Sequence, residues 1–326
     1  MPADEFDIIA SYFAPLANND GARGLVDDAA ILENSGQLVV TTDAIVEGVH
    51  FLSDDPIDTV AKKALRVNLS DLAAKGAKPI AVTLSLIWPN TRPTSQIADF
   101  ARGLGEDLEK YDVALLGGDT TSTPGPLTIA ITAFGEPLGS RTPSRADAKP
   151  GEDVWVTGTI GDAWLGFEAL SDAWPEATAA ERAYVVGKYR RPEPPVLFAD
   201  VVAEHASAAM DVSDGLWGDA EKLAKASGLA IWIEAEAVPI SEAAHAWRVN
   251  EGFQTWGALF SWGDDYQVLF TAPGSVRAEI EARAAELGVK ATRIGLTKKG
   301  KGALIGTKGR ALSGGGPNSH AHKIGR

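Results

Sequence analysis

Two α/β domains with mixed sheets are what the sequence predicts, on three observations. The chain has 326 residues, 45% of them hydrophobic, too many for one ordinary core and enough to bury two of roughly 150 residues each. Amphipathic helical stretches alternate with short apolar strands through both halves, the spacing of an α/β architecture. A polar stretch with three prolines, PLGSRTPSRADAKPG at 137–151, separates the halves, which places the domains at 1–137 and 138–326.

In the first half, residues 5–16 carry Phe6, Ile9, Ala10 and Phe13 at helical spacing, a short amphipathic helix ended near Pro15. A Gly-rich loop then delivers Asp27 and Asp28 to a strand at 29–32, where they are either site residues or two solvated loop acids. The stretch 39–51 (VVTTDAIVEGVHF) is the one around which the rest of this half is organised. Val39 and Val40 read as the close of a buried strand, with Thr41, Thr42 and Asp43 at its carboxyl end, the edge where open α/β sheets place ligands. Asp58 caps a helix running to about Gly76, with Val60, Ala64, Val67, Asp71 and Ala74 along one stripe. Asp71, a carboxylate on the apolar face one turn from Asn68, points to a ligand rather than a surface charge. A strand at 81–87, a helix at 95–111 and a strand at 113–116 lead into Gly117-Gly118-Asp119. Two glycines let backbone N–H groups approach a phosphate closely; a tight turn with an Asx cap fits the same residues. A strand at 127–134 ends the domain.

In the second half, a strand at 154–156 turns through Gly158-Thr-Ile-Gly161-Asp162 into a helix that reaches Leu170. A helix N-terminus behind glycines can hold an anion, and plain strand-to-helix chemistry gives the same pattern. Two helices flank the break at 190–195. Asp211 and Asp214 bracket Ser213 where a short strand turns into a helix at 217–227, so one turn offers two carboxylates and a hydroxyl to a cation. A strand at 231–234, a helix at 241–249, Gly263-Asp264-Asp265 opening a strand at 267–270, and a helix at 276–287 complete the domain. The tail, 313–326, reads as loose.

Thirty basic and 44 acidic residues give a net charge of −14, which argues against nucleic acid and anionic membrane as partners. The absence of cysteine excludes disulfides, thiolate metal sites and a cysteine nucleophile. With an acidic N-terminus and no long apolar run, the expectation is a cytoplasmic protein. The acids at Asp27-Asp28, Asp43, Asp71, Asp119 and Asp211/Asp214 lie beside apolar segments or glycine turns, where an unpaired carboxylate is costly. A positive partner is implied, and Mg²⁺ suits oxygen donors. Other motifs fail. Gly295 to Gly302 lacks the Ser/Thr and the following helix of a phosphate-binding loop and reads as a basic surface hairpin. There is no dinucleotide fingerprint, EF-hand spacing or zinc-binding His pair.

Taken in order, DEF, VDDAA, TTDAIVEGVHF, VNLSDLAAKGA, LLGGDTT, RADAKPGE, VTGTIGD, MDVSDGL and GDDYQVLF resemble the thiamine-monophosphate kinase family of the aminoimidazole-ribonucleotide-synthetase-like superfamily. The resemblance covers about residues 4–271. It implies Mg²⁺ ligands at Asp28, Thr41, Thr42, Asp43, Asp71, Asp119, Asp211 and Asp214. It implies ATP contacts at Gly118, Asp119, Arg145 and Ser213, and thiamine phosphate contacts at His50 and Asp264. It further implies a homodimer formed through the N-terminal sheets, with the nucleotide in a cleft that the C-terminal domain closes. Four places depart from the pattern: Val26 and Asp147 stand where glycine is usual, Trp262-Gly263-Asp264-Asp265 stands for Gly-Gly-Glu-Asp, and the C-terminal aromatic has no counterpart in NSHAHKIGR. Trp262 either replaces that ring against the thiamine or packs in the core beside Phe260.

The implied reaction is direct in-line transfer from ATP to thiamine monophosphate, with no covalent nucleophile and no general base. Two other functions fit the acidic pattern: a related ATP-dependent synthetase of the aminoimidazole ribonucleotide type, and a non-catalytic metal- or nucleotide-binding protein. A selenophosphate synthetase is disfavoured by the missing cysteine.

Overall fold

The structure, a computed structural model, describes residues 5–25, 29–34, 36–252, 255–307 and 310–312. The chain divides into two compact units, Met1–Leu72 with Lys78–Pro137, and Ala73–Ala77 with Leu138–Arg326. No helix among the described residues is long and apolar enough to cross a membrane.

In the first unit, β1 (Val39–Val46), β2 (Ala77–Pro89), β3 (Ala114–Thr123) and β4 (Thr128–Pro137) form a sheet in the order β1-β4-β2-β3. β1 runs antiparallel to β4 and β2 parallel to β3, so the sheet is mixed. The helices are α1 (Glu5–Ile8), α2 (Ile57–Ala74) and α3 (Ser95–Tyr111). α3 keeps the bounds its periodicity predicts, and it stops where Asp112 turns left-handed and its N–H caps the Leu108 and Glu109 carbonyls. α2 buries the predicted stripe of Val60, Ala64 and Val67, and Ala61, Leu65 and Leu69 as well, so it is wrapped nearly all round.

Two expectations for the N-terminal segment fail. The single helix at 5–16 becomes α1, a π-turn over Ile9–Phe13 and a 3₁₀ turn over Ala14–Leu16; Pro15, which has no N–H to donate, ends the ladder there as expected. The strand at 29–32 does not form: the Ile31 N–H goes to the Gly21 carbonyl, across a loop instead of a sheet edge.

In the second unit, β5 (Asp153–Thr157), β6 (Ala208–Val212), β7 (Ala230–Glu234), β8 (Gln267–Ala272), β9 (Ala291–Lys298), β10 (Gly302–Thr307) and β11 (Arg310–Ala311) are ordered β11-β10-β7-β9-β5-β8-β6. Its helices are α4 (Asp162–Leu170), α5 (Ala179–Arg190), α6 (Ala199–His205), α7 (Leu216–Ser227), α8 (Glu242–Glu251), α9 (Trp256–Ser261) and α10 (Arg277–Leu287). Strand alternation divides the core between the two sheet faces. Val154, Val156, Met210 and Leu269 enter one cluster, and Trp155, Ala209, Val268 and Phe270 the other. The hairpin expected at 295–302 is not one. β7 lies between β9 and β10, antiparallel to the first and parallel to the second, and this pairing with a segment some sixty residues earlier leaves no local trace.

Candidate functional site

β1 continues past Asp43 to Val46, so Asp43 lies mid-strand and not at a carboxyl end. The Thr-Thr-Asp-Ala-Ile-Val run keeps pairing with β4, with Asp43 opposite Ile131. Alternation then sends Thr41 and Asp43 to one face and Thr42 to the other. On the first face, the Thr41 hydroxyl donates to Asp71 Oδ2 at 2.5 Å, and the Asp43 N–H donates to Asn68 Oδ1 at 3.0 Å. Asn68 is fully buried and donates its own amide to the Ala64 carbonyl at 3.0 Å. Asn68 and Asp71, one turn apart on α2, therefore hold β1 at Asp43 and Thr41. The Thr42 hydroxyl instead donates to the Ile131 carbonyl at 3.1 Å and accepts from Thr132.

His50 closes the turn after β1. Its Nδ1 accepts the Val46 N–H at 3.0 Å, so the neutral ring carries its proton on Nε2. Its carbonyl accepts the buried Lys63 ammonium at 2.8 Å.

The Gly117-Gly118-Asp119 stretch is neither loop nor turn: β3 runs through it to Thr123, with a bulge where Val82 and Thr83 of β2 face it. A Cβ on Gly118 would fall 1.7 Å from the Leu84 carbonyl oxygen, so glycine is required by the close approach of β2. Gly118 and Asp119 line a pocket of about 300 Å³ together with Phe13, Ala22 and Leu25.

In the second unit, Asp211 sits 7% exposed on β6, and Ser213 and Asp214 form the turn into α7. That turn is held by a residue the motif pattern does not mark. Asp219, buried in the first turns of α7, accepts the N–H groups of Ser213 at 3.0 Å and Asp214 at 2.9 Å through Oδ2. Lys222 donates to Asp219 Oδ1 at 2.8 Å and also contacts Asp214 Oδ2. Asp214 is thus paired with a lysine of the helix that follows it. Burial pushes the Asp219 carboxyl up to about 6 despite Lys222. The spacing of Asp219 and Lys222, one helical turn apart, is the sequence signal that marks the pair.

The loop 262–266 docks on the same turn. The Asp264 N–H donates to the Ser213 carbonyl at 2.9 Å and the Tyr266 N–H to the Val212 carbonyl at 2.8 Å. Gly263 lies so close that a Cβ there would be 1.9 Å from the Ser213 oxygen. Asp264 adopts φ 72° and accepts from the Tyr266 hydroxyl at 3.3 Å. Trp262 is 39% exposed while Phe260 is fully buried, so the two do not share the core. Asp265 points inward and accepts the Gly161 N–H at 2.8 Å and the Ala163 N–H at 3.4 Å. The N-terminus of α4 thus meets a carboxyl group of the chain's own, whose pKa burial raises well above the ordinary carboxylate range. Arg145 is exposed, its carbonyl taken by the Ser227 hydroxyl at 2.9 Å. The preceding residues are clipped to the β6 end by Arg141, which donates to the Ala206 carbonyl at 2.6 Å, and by Lys75, which donates to Ala209 at 2.7 Å and Pro143 at 3.3 Å.

Asp28, Val26 and the tail at 313–326 lie outside the described residues. Among the described residues no three acidic or histidine side chains converge on one point. The donors at Thr41, Asp43 and Asp71 are hard oxygens and fit Mg²⁺, which takes one or two carboxylates and completes its shell with water and phosphate.

The pattern described as AIR synthase related protein, N-terminal domain, matches residues 26–136, and its C-terminal domain matches 149–307. Thiamine-monophosphate kinase of Caulobacter vibrioides is 43% identical over 317 residues, covering 96% of this chain and 89% of that one. The crystal structure of thiamine-monophosphate kinase from Stenotrophomonas maltophilia aligns with a TM-score of 0.79 at 35% identity, over 88% of this chain and 90% of that one. The structure of AaThiL complexed with AMPPCP and TMP aligns with a TM-score of 0.78 at 29% identity, over 97% of both chains.

Proposed function

The chain belongs to the thiamine-monophosphate kinases of the AIR synthase related family and phosphorylates thiamine monophosphate with ATP; from that premise we propose how its residues divide the work. The acceptor is already an ionised phosphate oxygen, so the chain needs to supply position and compensating charge, and no general base. In the N-terminal unit, Asp43 and Asp71 are the principal Mg²⁺ ligands, with Thr41 orienting Asp71. Thr42, whose hydroxyl is spent on Ile131, contributes through its backbone. Asp119, Asp211, Asp214 and Asp28 are the other proposed ligands. When bound, Mg²⁺ neutralises the phosphate charges that otherwise keep donor and acceptor apart. Gly118, Asp119, Ser213 and Arg145 contact ATP; His50, Asp264 and Trp262 contact thiamine monophosphate, with the His50 Nε2–H as donor. The pairing of Thr41 with Asp71 and of Asp43 with Asn68 carries this reading, because a strand and a helix are tied together at two acids that have no part in the core.

The outer face of β1 supports a homodimer. Val40, Thr42 and Ala44 are exposed there, and register sets them beside Phe134, Thr132 and Ala130 of β4, a stripe of small and apolar side chains that a second copy would cover. The reaction is tested by single-turnover ATP consumption with and without thiamine monophosphate. ADP and thiamine diphosphate are expected only when both substrates are present. Equal ADP formation without the acceptor would overturn phosphoryl transfer to it.

A further inference from the structure

One carboxylate oxygen of Asp214, Oδ2, is taken by the chain's own ammonium. Lys222 contacts Asp214 Oδ2 and lies 2.8 Å from Asp219 Oδ1. The two acids are unequal. Asp219 is fully buried and already accepts two backbone N–H groups. Asp214 and Lys222 are each about a third exposed, so the contact between them opens to solvent. A divalent ion and an ammonium placed side by side on one carboxylate repel, so the ion binds there at a cost while Lys222 stays in place. Lys222 has a second anchor on Asp219, so it can release Asp214 without becoming an unpaired charge. Within the Asp214–Asp219–Lys222 cluster the ammonium cancels one of two negative charges, so a bare divalent ion is attracted less strongly than it is by unpaired carboxylates. Anionic phosphates arriving with the ion restore the balance.

We propose that Lys222 is a resident counter-cation that keeps Asp214 from free divalent ions and yields it only when the ion arrives with a nucleotide. This rests on the reading of Asp214 as a metal ligand. Lys222 is a positioning residue under it, and metal binding to this turn becomes dependent on nucleotide.

Mn²⁺ is the probe, with binding to the full chain followed by electron paramagnetic resonance, with and without AMPPCP. Lys222→Gln keeps a hydrogen-bond donor for Asp219 and removes the charge; Lys222→Arg keeps the charge. Without nucleotide, Lys222→Gln is expected to bind Mn²⁺ about tenfold more tightly than the parent, within the usual range of coupling between sites. Lys222→Arg is expected to match the parent, and Asp214→Asn added to Lys222→Gln to abolish the gain. An unchanged Mn²⁺ isotherm for folded Lys222→Gln overturns the proposal. Asp214→Asn alone separates the two ideas. If it weakens Mn²⁺ binding with AMPPCP present while Lys222→Gln changes nothing, the ligand reading stands and the counter-cation does not. If it changes nothing, both fall. If Lys222→Gln does not fold, the parent decides: an Asp214-dependent Mn²⁺ site equally tight with and without AMPPCP overturns the proposal.

Discussion

Asp71 in the N-terminal unit and Asp219 in the C-terminal unit are both helix carboxylates that steady a neighbouring segment, yet they are answered differently. Asp71 accepts from the neutral Thr41 hydroxyl and is half-buried. Asp219 is fully buried and meets two backbone N–H groups and the Lys222 ammonium. A hydroxyl orients a carboxylate without cancelling its charge, whereas a lysine orients and neutralises it together. The first arrangement keeps negative charge available to an added cation; the second makes a rigid turn with little charge to spare.

The largest effect expected from this contrast is at the first site. Asp43→Asn and Asp71→Asn should each lower turnover at least about a hundredfold, the scale of losing one positioned electrostatic group. Thermal melting in chelator should be no lower than for the parent, since each change removes a like charge. Intact turnover with a sharply lowered melting temperature would make these acids structural and erase the distinction.

Asp265 gives a third case, a carboxylate met by the Gly161 and Ala163 N–H groups and no cation in those bonds. Asp265→Ala strands both donors and should cost about 1–3 kcal/mol; Asp265→Asn, which keeps an oxygen acceptor, should cost less. Burial raises the Asp265 pKa in the folded chain, with the two N–H bonds opposing it. The folded state therefore holds this proton more tightly than the unfolded one. Its contribution to stability is full below the ordinary carboxylate pKa and is lost as pH rises through the raised folded value. Denaturant titrations across that range should show Asp265→Asn gaining on the parent with rising pH; parallel curves would mean that Asp265 ionises normally in the fold.

A smaller change is expected at Arg145, an exposed guanidinium carried on a segment whose backbone is pinned by Lys75, Arg141 and Ser227. Arg145→Ala should weaken ATP binding about tenfold, as for one charge-assisted contact, and leave thiamine monophosphate binding unchanged in calorimetric titration. Equal loss for both ligands would point to a disturbed segment.

Range along the chain decides how much of this was legible in the sequence. α3 and the buried stripe of α2 are written in local periodicity, and Asp71 stood out because it broke that stripe. Its closeness to Thr41, thirty residues earlier, is a tertiary fact that only the oddity of an acid on an apolar face hinted at. Glycines in sequence point to a turn and so hide the second half of β3, where Gly118 serves the close approach of Leu84. The glycines before α4 leave open whether its N-terminus meets an acidic group, and the carboxyl that it meets, Asp265, lies 104 residues on in the chain. The pairing of Lys222 with Asp214 is hidden for another reason: the Asp-Val-Ser-Asp turn has the residues of a ligand site, and the following helix supplies the partner.

The smallest expected effect is at Trp262, where the chain departs most from its family's pattern. A cationic ring is attracted to an aromatic face by roughly 0.5–2 kcal/mol, which corresponds to about a two- to thirtyfold change in affinity. Trp262 lies 39% exposed in the strand-like link between α9 and the Asp264 turn. Its carbonyl sits where a Cβ on Gly215 would come within 2.8 Å, so its backbone is pressed against the Ser213–Asp214 turn while part of the indole stays in solvent. Trp256, by contrast, is buried and stacked on Phe260, which makes it the matched control. Trp262→Ala should raise the KM for thiamine monophosphate several-fold, leave that for ATP alone, and abolish the fluorescence quench that thiamine monophosphate causes in the parent. Trp256→Ala should lower stability and keep the quench. An unchanged KM in folded Trp262→Ala would remove the indole from the substrate and leave His50 and Asp264 to hold it.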